Sequence, residues 1–136
     1  MSNFIYSKAK EDFLAGNLNL SSNTITLALV DSNFYIVSDS HEDRADIPNN
    51  AIVLESNLTG KSINSGIFSA DDVTFTNVTA NTAEAIVLYH NDVEGGQSTS
   101  RLILYIENAN GLPTSSGANV DINIRFSNEA TKIFSL

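Results

Sequence analysis

The chain has 136 residues, which bounds it to one domain with a core that needs no covalent staples, and its lack of cysteine excludes both a disulfide framework and a thiolate metal site. Seven basic residues against sixteen acidic ones leave a net charge of −9. The basic residues are scattered, so the clustered positive charge that nucleic-acid binding needs is missing.

At the N-terminus Phe4-Ile5-Tyr6 is followed at once by Lys8, Lys10, Glu11 and Asp12, too early a charge run for a secretory signal, and no apolar run is long enough to span a membrane. A protein soluble in the cytoplasm is expected. Ser7 is placed to cap a short helix with Glu11 and Asp12 in its first turn and Ala9, Phe13 and Phe4 facing inward. Gly16 should end it.

The first clear strand is Ile25 to Asp31, in which Ile25, Leu27 and Leu29 share a face. From Asp31 to Asn50 the pattern loosens through Phe34-Tyr35-Ile36-Val37, the charged run from His41 to Asp46, and Ile47-Pro48. An extended arm or one helical turn ending before the proline both fit. Short apolar segments then follow at even spacing, A-I-V-L-E, L-T-G-K-S-I, G-I-F-S-A and V-T-F-T-N-V, separated by turn residues. In the last of these Val73 and Phe75 share one face and Thr74 and Thr76 the other, which predicts a half-exposed strand.

Ala83 to Ile106 carries two runs in which neither face is polar, joined by a segment containing Gly95-Gly96. They read as an antiparallel pair buried on both sides. Strict alternation puts Ile86, Leu88, Ile103 and Tyr105 on one face and Ala85, Val87, Tyr89, Leu102, Leu104 and Ile106 on the other. The second face must then be covered by the helix, by the Phe34–Val37 arm or by another subunit, and Ile86, Leu88, Ile103 and Tyr105 are the candidate subunit or partner interface.

A loop from Asn108 to Ala118 leads to the cleanest alternation, Val120, Ile122, Ile124 and Phe126 against Asp121, Asn123 and Arg125. The apolar end Lys132 to Leu136 predicts a paired last strand. The expected fold is all-β: an antiparallel β-sandwich of roughly seven to nine strands with a short N-terminal helix, a single domain over residues 1–136.

No residues assemble a recognisable chemistry. His41 and His90 lack a G-x-S-x-G nucleophile elbow, and no glycine pair is followed by the Lys-Ser/Thr of a phosphate loop. Read from Asp39 as a calcium loop, the sixth position is Arg44 and the twelfth Asn50, against the glycine and glutamate the template needs. A looser oxygen-ligand site between Asp39 and Asp46 stays open, with acidic loops that keep the surface solvated as the simpler account. No catalytic residue, resident metal, cofactor or small-molecule substrate is expected.

Taken in order, Lys10–Gly16, Ile25–Asp31, Ile47-Pro48, L-T-G-K at Leu58–Lys61, A-D-D-V-T-F at Ala70–Phe75, E-A-I-V-L-Y at Glu84–Tyr89, S-R-L-I-L-Y-I at Ser100–Ile106, Gly111-Leu112-Pro113 and the terminal K-I-F-S-L form a set. The set resembles a family of small structural proteins of tailed bacteriophages, including phages of cyanobacteria. The resemblance implies a non-enzymatic component of the virion, assembled in the host cytoplasm, with no catalytic residues to carry over. Its implied role is a head decoration or cement protein that binds the major capsid protein on the outer shell as a homo-oligomer, a trimer favoured, without nucleic acid or membrane. A tail or adaptor protein is the alternative, and a carbohydrate-binding sandwich on a fibre a second one.

Overall fold

A computed structural model describes residues 4–65, 67–78, 84–107, 120–124 and 134–135. These are mostly β, with one short helix. The principal sheet has five antiparallel strands in the order β1 (Phe4–Ile5), β8 (Leu102–Ile106), β7 (Ala85–His90), β2 (Ile25–Val30) and β3 (Ile52–Asn57). A three-stranded sheet pairs β4 (Ser62–Asn64) with β5 (Ile67–Ser69) and β5 with β10 (Phe134–Ser135). A third, two-stranded sheet joins β6 (Val73–Val78) to β9 (Val120–Ile124). The loop expected from Asn108 to Ala118 and the alternation at Arg125 and Phe126 lie outside the described residues.

β2, β7 and β8 form the centre of the molecule. All six residues of β2, the first five of β7 and the first four of β8 are buried, as the absence of a polar face in each run predicts. One buried polar group among them is satisfied within the sheet: Thr26 donates its hydroxyl to Asn57 Oδ1 across the β2–β3 pair at 2.6 Å.

The register corrects the expected division of faces. Leu88 pairs with Leu104 and Ile86 with Ile106, while Tyr105 pairs with Val87. A single row therefore runs across one face through Phe4, Tyr105, Val87, Ala28 and Glu55. Ile86 and Leu88 lie on the opposite face with Leu27, Leu29 and Leu104. Alternation holds within each strand, but it does not say which face of one strand lines up with which face of the next. A bulge between Leu88 and Tyr89, where β8 carries one extra residue, shifts the pairing further, so that Tyr89 meets Leu102.

The helix, α1, runs from Ser7 to Ala15 and stops at Gly16, whose φ of 79° is the left-handed conformation that a residue without Cβ adopts at little cost. Gly16 N–H bonds back to Phe13 and the next amide, Asn17, to Asp12. Its start differs from expectation. Tyr6, not Ser7, precedes the first helical residue, and Glu11 and Asp12 fall beyond the first turn. The cap comes from the arm instead: Asp39 accepts the Ser7 backbone N–H at 2.8 Å and the Ser7 hydroxyl as well.

These bonds hold the Asp39 carboxyl below its ordinary value of 3.8, the Ser7 hydroxyl contributing most. A carboxylate depressed by folding adds stability above its unfolded value and loses it as pH falls. Asp39→Ala is expected to lower stability by about 1 kcal/mol at neutral pH in urea unfolding, with the difference from the parent shrinking below pH 3.8.

The loosely patterned segment resolves into an arm with two 3-10 turns, Arg44–Asp46 and Asn49–Ala51, either side of Ile47-Pro48. The first turn ends before the proline, one of the two forms expected. Asp46 Oδ2 accepts the backbone N–H of Glu42 and of Asp43, which holds its carboxyl below the ordinary range.

The terminal strand is paired as predicted, Phe134 opposite Phe68 and Ser135 opposite Ile67. In β6, Val73 and Phe75 are buried and Thr74 is exposed, which agrees with the expected half-exposed strand.

Candidate functional site

Ile86, Leu88, Ile103 and Tyr105 are each at most 1 % exposed. The chain itself covers them, and the register divides them between two faces, so they do not form one outward surface. On the Tyr105 side the cover is aromatic. The Tyr105 ring lies 5.8 Å from Phe4 of β1 and 6.3 Å from Tyr35 of the arm, and Phe4 meets Tyr6 edge-on at 5.1 Å. Of the helix, the arm and another subunit, the covers expected for the second apolar face, the arm supplies Tyr35 here, joined by Phe4 and Tyr6 ahead of the helix. The opposite face belongs to the same hydrophobic cluster as Leu58, Phe68, Val73 and Phe75.

The polar ends of this cluster are all spoken for. Tyr6 and Tyr35 share a hydroxyl–hydroxyl hydrogen bond of 2.9 Å, and Tyr35 is bonded in turn to His41 Nδ1 at 2.9 Å. The Tyr35 and His41 rings stack at 5.4 Å. His41 thus holds the arm and is bonded to a phenol rather than to a serine nucleophile. Tyr105 donates its hydroxyl to Glu107 at 2.9 Å.

Burial pushes all four tyrosines of the chain upward, Tyr35 and Tyr89 to about 12 and Tyr6 and Tyr105 further, the last with the Glu107 carboxylate adding to the effect. A phenol raised by folding stays protonated where the unfolded chain ionises, so this stability is complete below pH 10.0 and is lost as pH rises toward the folded values. An ultraviolet titration of tyrosinate should show no ionisation through the ordinary phenol range. All four should then ionise in one step coincident with loss of the β circular-dichroism signal.

Two arginines organise the charges around this sheet. Arg101 meets Asp12 of α1 at 2.6 Å, Asp43 at 3.2 Å and Glu42 at 3.5 Å. It ties helix, arm and β8 together. Burial raises the Asp43 carboxyl, and the Arg101 charge opposes that rise. The acidic run that left a looser calcium site open is therefore engaged residue by residue: Asp39 at the helix start, Asp43 on Arg101, Asp46 on backbone amides. Among the described residues no group of three or more His, Asp or Glu is arranged to hold a metal.

Arg44 is 4 % exposed. Its Nε donates to Glu55 Oε2 at 3.2 Å, Nη1 to the Ile47 carbonyl at 3.0 Å and Nη2 to Asn49 Oδ1 at 3.4 Å. Tyr89 donates to the same Glu55 oxygen at 2.7 Å. The trio walls a cleft of about 350 Å³ whose other side is the β7–β8 connection, with Asn91, Asp92, Val93, Gly96, Gln97 and Ser100.

That connection is shaped by Asp92, whose carboxylate accepts Gly95 N–H and the Thr99 hydroxyl, each at 2.9 Å. These bonds keep its carboxyl below the ordinary range, the Gly95 amide first. The two glycines have different causes. A Cβ on Gly95 would sit 2.2 Å from Thr99 Oγ1, and Gly96 has a φ of 86°.

The chain alone does not reveal this cleft. Arg44 stands in a charged run, Glu55 where an apolar run gives way to Ser56 and Asn57, and Tyr89 reads as core, so none of the three signals the others. Comparison with protein-family models finds no match, and comparison with curated proteins finds none either.

Proposed function

We propose that the chain is a non-enzymatic structural protein of a tailed-phage virion, a head decoration or cement protein on the outer capsid surface. In this reading its sheets form two layers of a sandwich, and it binds the major capsid protein and copies of itself, a trimer favoured. The ordered segments that resemble the phage structural family support the reading. So does the arm: Tyr35 turns inward while its neighbours Phe34 and Ile36 point out, Ile36 at 87 % exposure. Two large apolar side chains presented on one short segment anchored to the core are what a contact surface offers.

Burying such side chains against neighbouring subunits contributes about 25 cal/mol per Å² of apolar surface, and only the assembled lattice receives that contribution. The interface moves accordingly, from the central strand pair to the arm. The test is to mix the purified chain with shells that lack it, then sediment and image them. Copies spread over the outer face, with a higher shell melting temperature, are the expected result. Rings or tubes of the chain alone, or copies confined to the tail, would replace this reading with the tail or adaptor one. Binding to a glycan but not to shells would favour a fibre module, although Tyr89, the aromatic residue of the cleft, is buried and offers no stacking face.

A further inference from the structure

We infer that the cleft between Glu55 and the β7–β8 connection receives a lysine or arginine side chain from a partner protein. The inference stands on the cleft and holds whichever place in a particle the chain occupies. Glu55 is the centre of it. One carboxylate oxygen, Oε2, is fixed by two donors, Arg44 Nε and the Tyr89 hydroxyl, while Oε1 has no hydrogen-bond partner among the described residues. The Glu55 side chain keeps 32 % exposure and lines the cleft. An acceptor held rigid from behind and open in front is preorganised for a donor.

Charge selects the kind of donor. Arg44 and Glu55 neutralise one another, which leaves Asp92 as the uncompensated charge on the lining, in a chain whose net charge is −9. An anion would need Arg44, but its guanidinium is 4 % exposed and turned to Glu55, the Ile47 carbonyl and Asn49. A neutral sugar would want an aromatic face, which buried Tyr89 withholds. A cation on an alkyl stem fits both parts of the lining. Its head meets Glu55 Oε1, Asp92 and the amide oxygens of Asn91 and Gln97, and its methylenes lie on Val93, which stands 77 % exposed at the rim.

The test is a titration of the isotope-labelled full chain with the blocked peptides acetyl-Gly-Arg-Gly-amide and acetyl-Gly-Lys-Gly-amide, followed by nuclear magnetic resonance. The Asn91 and Gln97 side-chain amides and the Val93 methyls should shift with both peptides, and the shifts should shrink as salt is added. Glu55→Gln keeps the shape and removes the charge, and should weaken binding about tenfold. Val93→Ser, on an exposed loop where folding is not at stake, should weaken it by a smaller factor. Absence of shifts with both peptides, equal shifts with acetyl-Gly-Glu-Gly-amide or glucose, or unchanged affinity in Val93→Ser and in folded Glu55→Gln would overturn the inference. Spermidine bound far more tightly than either peptide would overturn the assignment to a protein side chain.

Discussion

Tyr105→Asp is expected to unfold the chain rather than merely to disturb its surface. Tyr105 has no exposure, its ring fills the space between Phe4 and Tyr35, and its pairing with Val87 places it inside the aromatic cover of the sheet. Removing a buried aromatic ring costs about 3 to 5 kcal/mol, and a carboxylate in its place adds a desolvation cost that no neighbouring cation offsets on that row. Against a total stability of about 5 to 15 kcal/mol for an ordinary domain, the sum leaves little or no folded population.

Tyr105→Phe is the informative control. It keeps the ring and loses the hydrogen bond to Glu107, about 1 kcal/mol, so it should fold. Circular dichroism with urea unfolding checks both variants. A folded Tyr105→Asp chain that has lost only its ability to assemble would show that the row faces a partner after all.

Arg44→Ala should be the second most damaging single change. The guanidinium is buried and bonded to Glu55, to the Ile47 carbonyl and to Asn49, so its loss strips three acceptors at once. Removing one partner of a buried ion pair costs about 3 to 5 kcal/mol, and Glu55, about a third exposed, recovers some hydration, which puts the expected loss near the lower end.

Arg44→Met retains most of the stem packing and separates the two contributions. Adding Glu55→Gln to Arg44→Met should cost less than the sum of the single changes, because the second removes a charge that the first left unpaired. A double-mutant cycle measured by urea unfolding gives that coupling directly. Additive losses would mean that the Arg44–Glu55 contact carries no stability of its own, as many exposed pairs do.

The two variants probe different levels of what the residues encode. That β7 and β8 are strands buried on both faces is legible in the runs Ala85–Tyr89 and Leu102–Tyr105, because a stretch with no polar face has nowhere to lie but inside. That Tyr105 shares a row with Val87 and not with Ile86 is not legible, since alternation is a property of one strand and register a property of two. The extra residue opposite Tyr89 carries no signature of its own among apolar neighbours.

The polar contacts divide in the same way. Gly16 marks the end of α1 from sequence because the left-handed stop is a local demand of the backbone. The start of α1 escapes a local reading because its cap, Asp39, arrives from 32 residues away. Asp43 and Asp46 look like neighbours in a loose ligand cluster, yet one turns to Arg101 and the other back to the backbone amides of Glu42 and Asp43.

Most of the strands, where the helix stops and that the central pair lies inside follow from the residues in order, since period, burial and backbone conformation are set within a few positions; Phe4, expected on the helix, pairs with Tyr105 in β1 instead. Which faces meet, which carboxylate each arginine holds and where the cleft opens were settled in three dimensions alone. Those outcomes depend on the packing of segments distant along the chain, whose relative placement minimises unpaired charge and bare apolar surface across the whole fold.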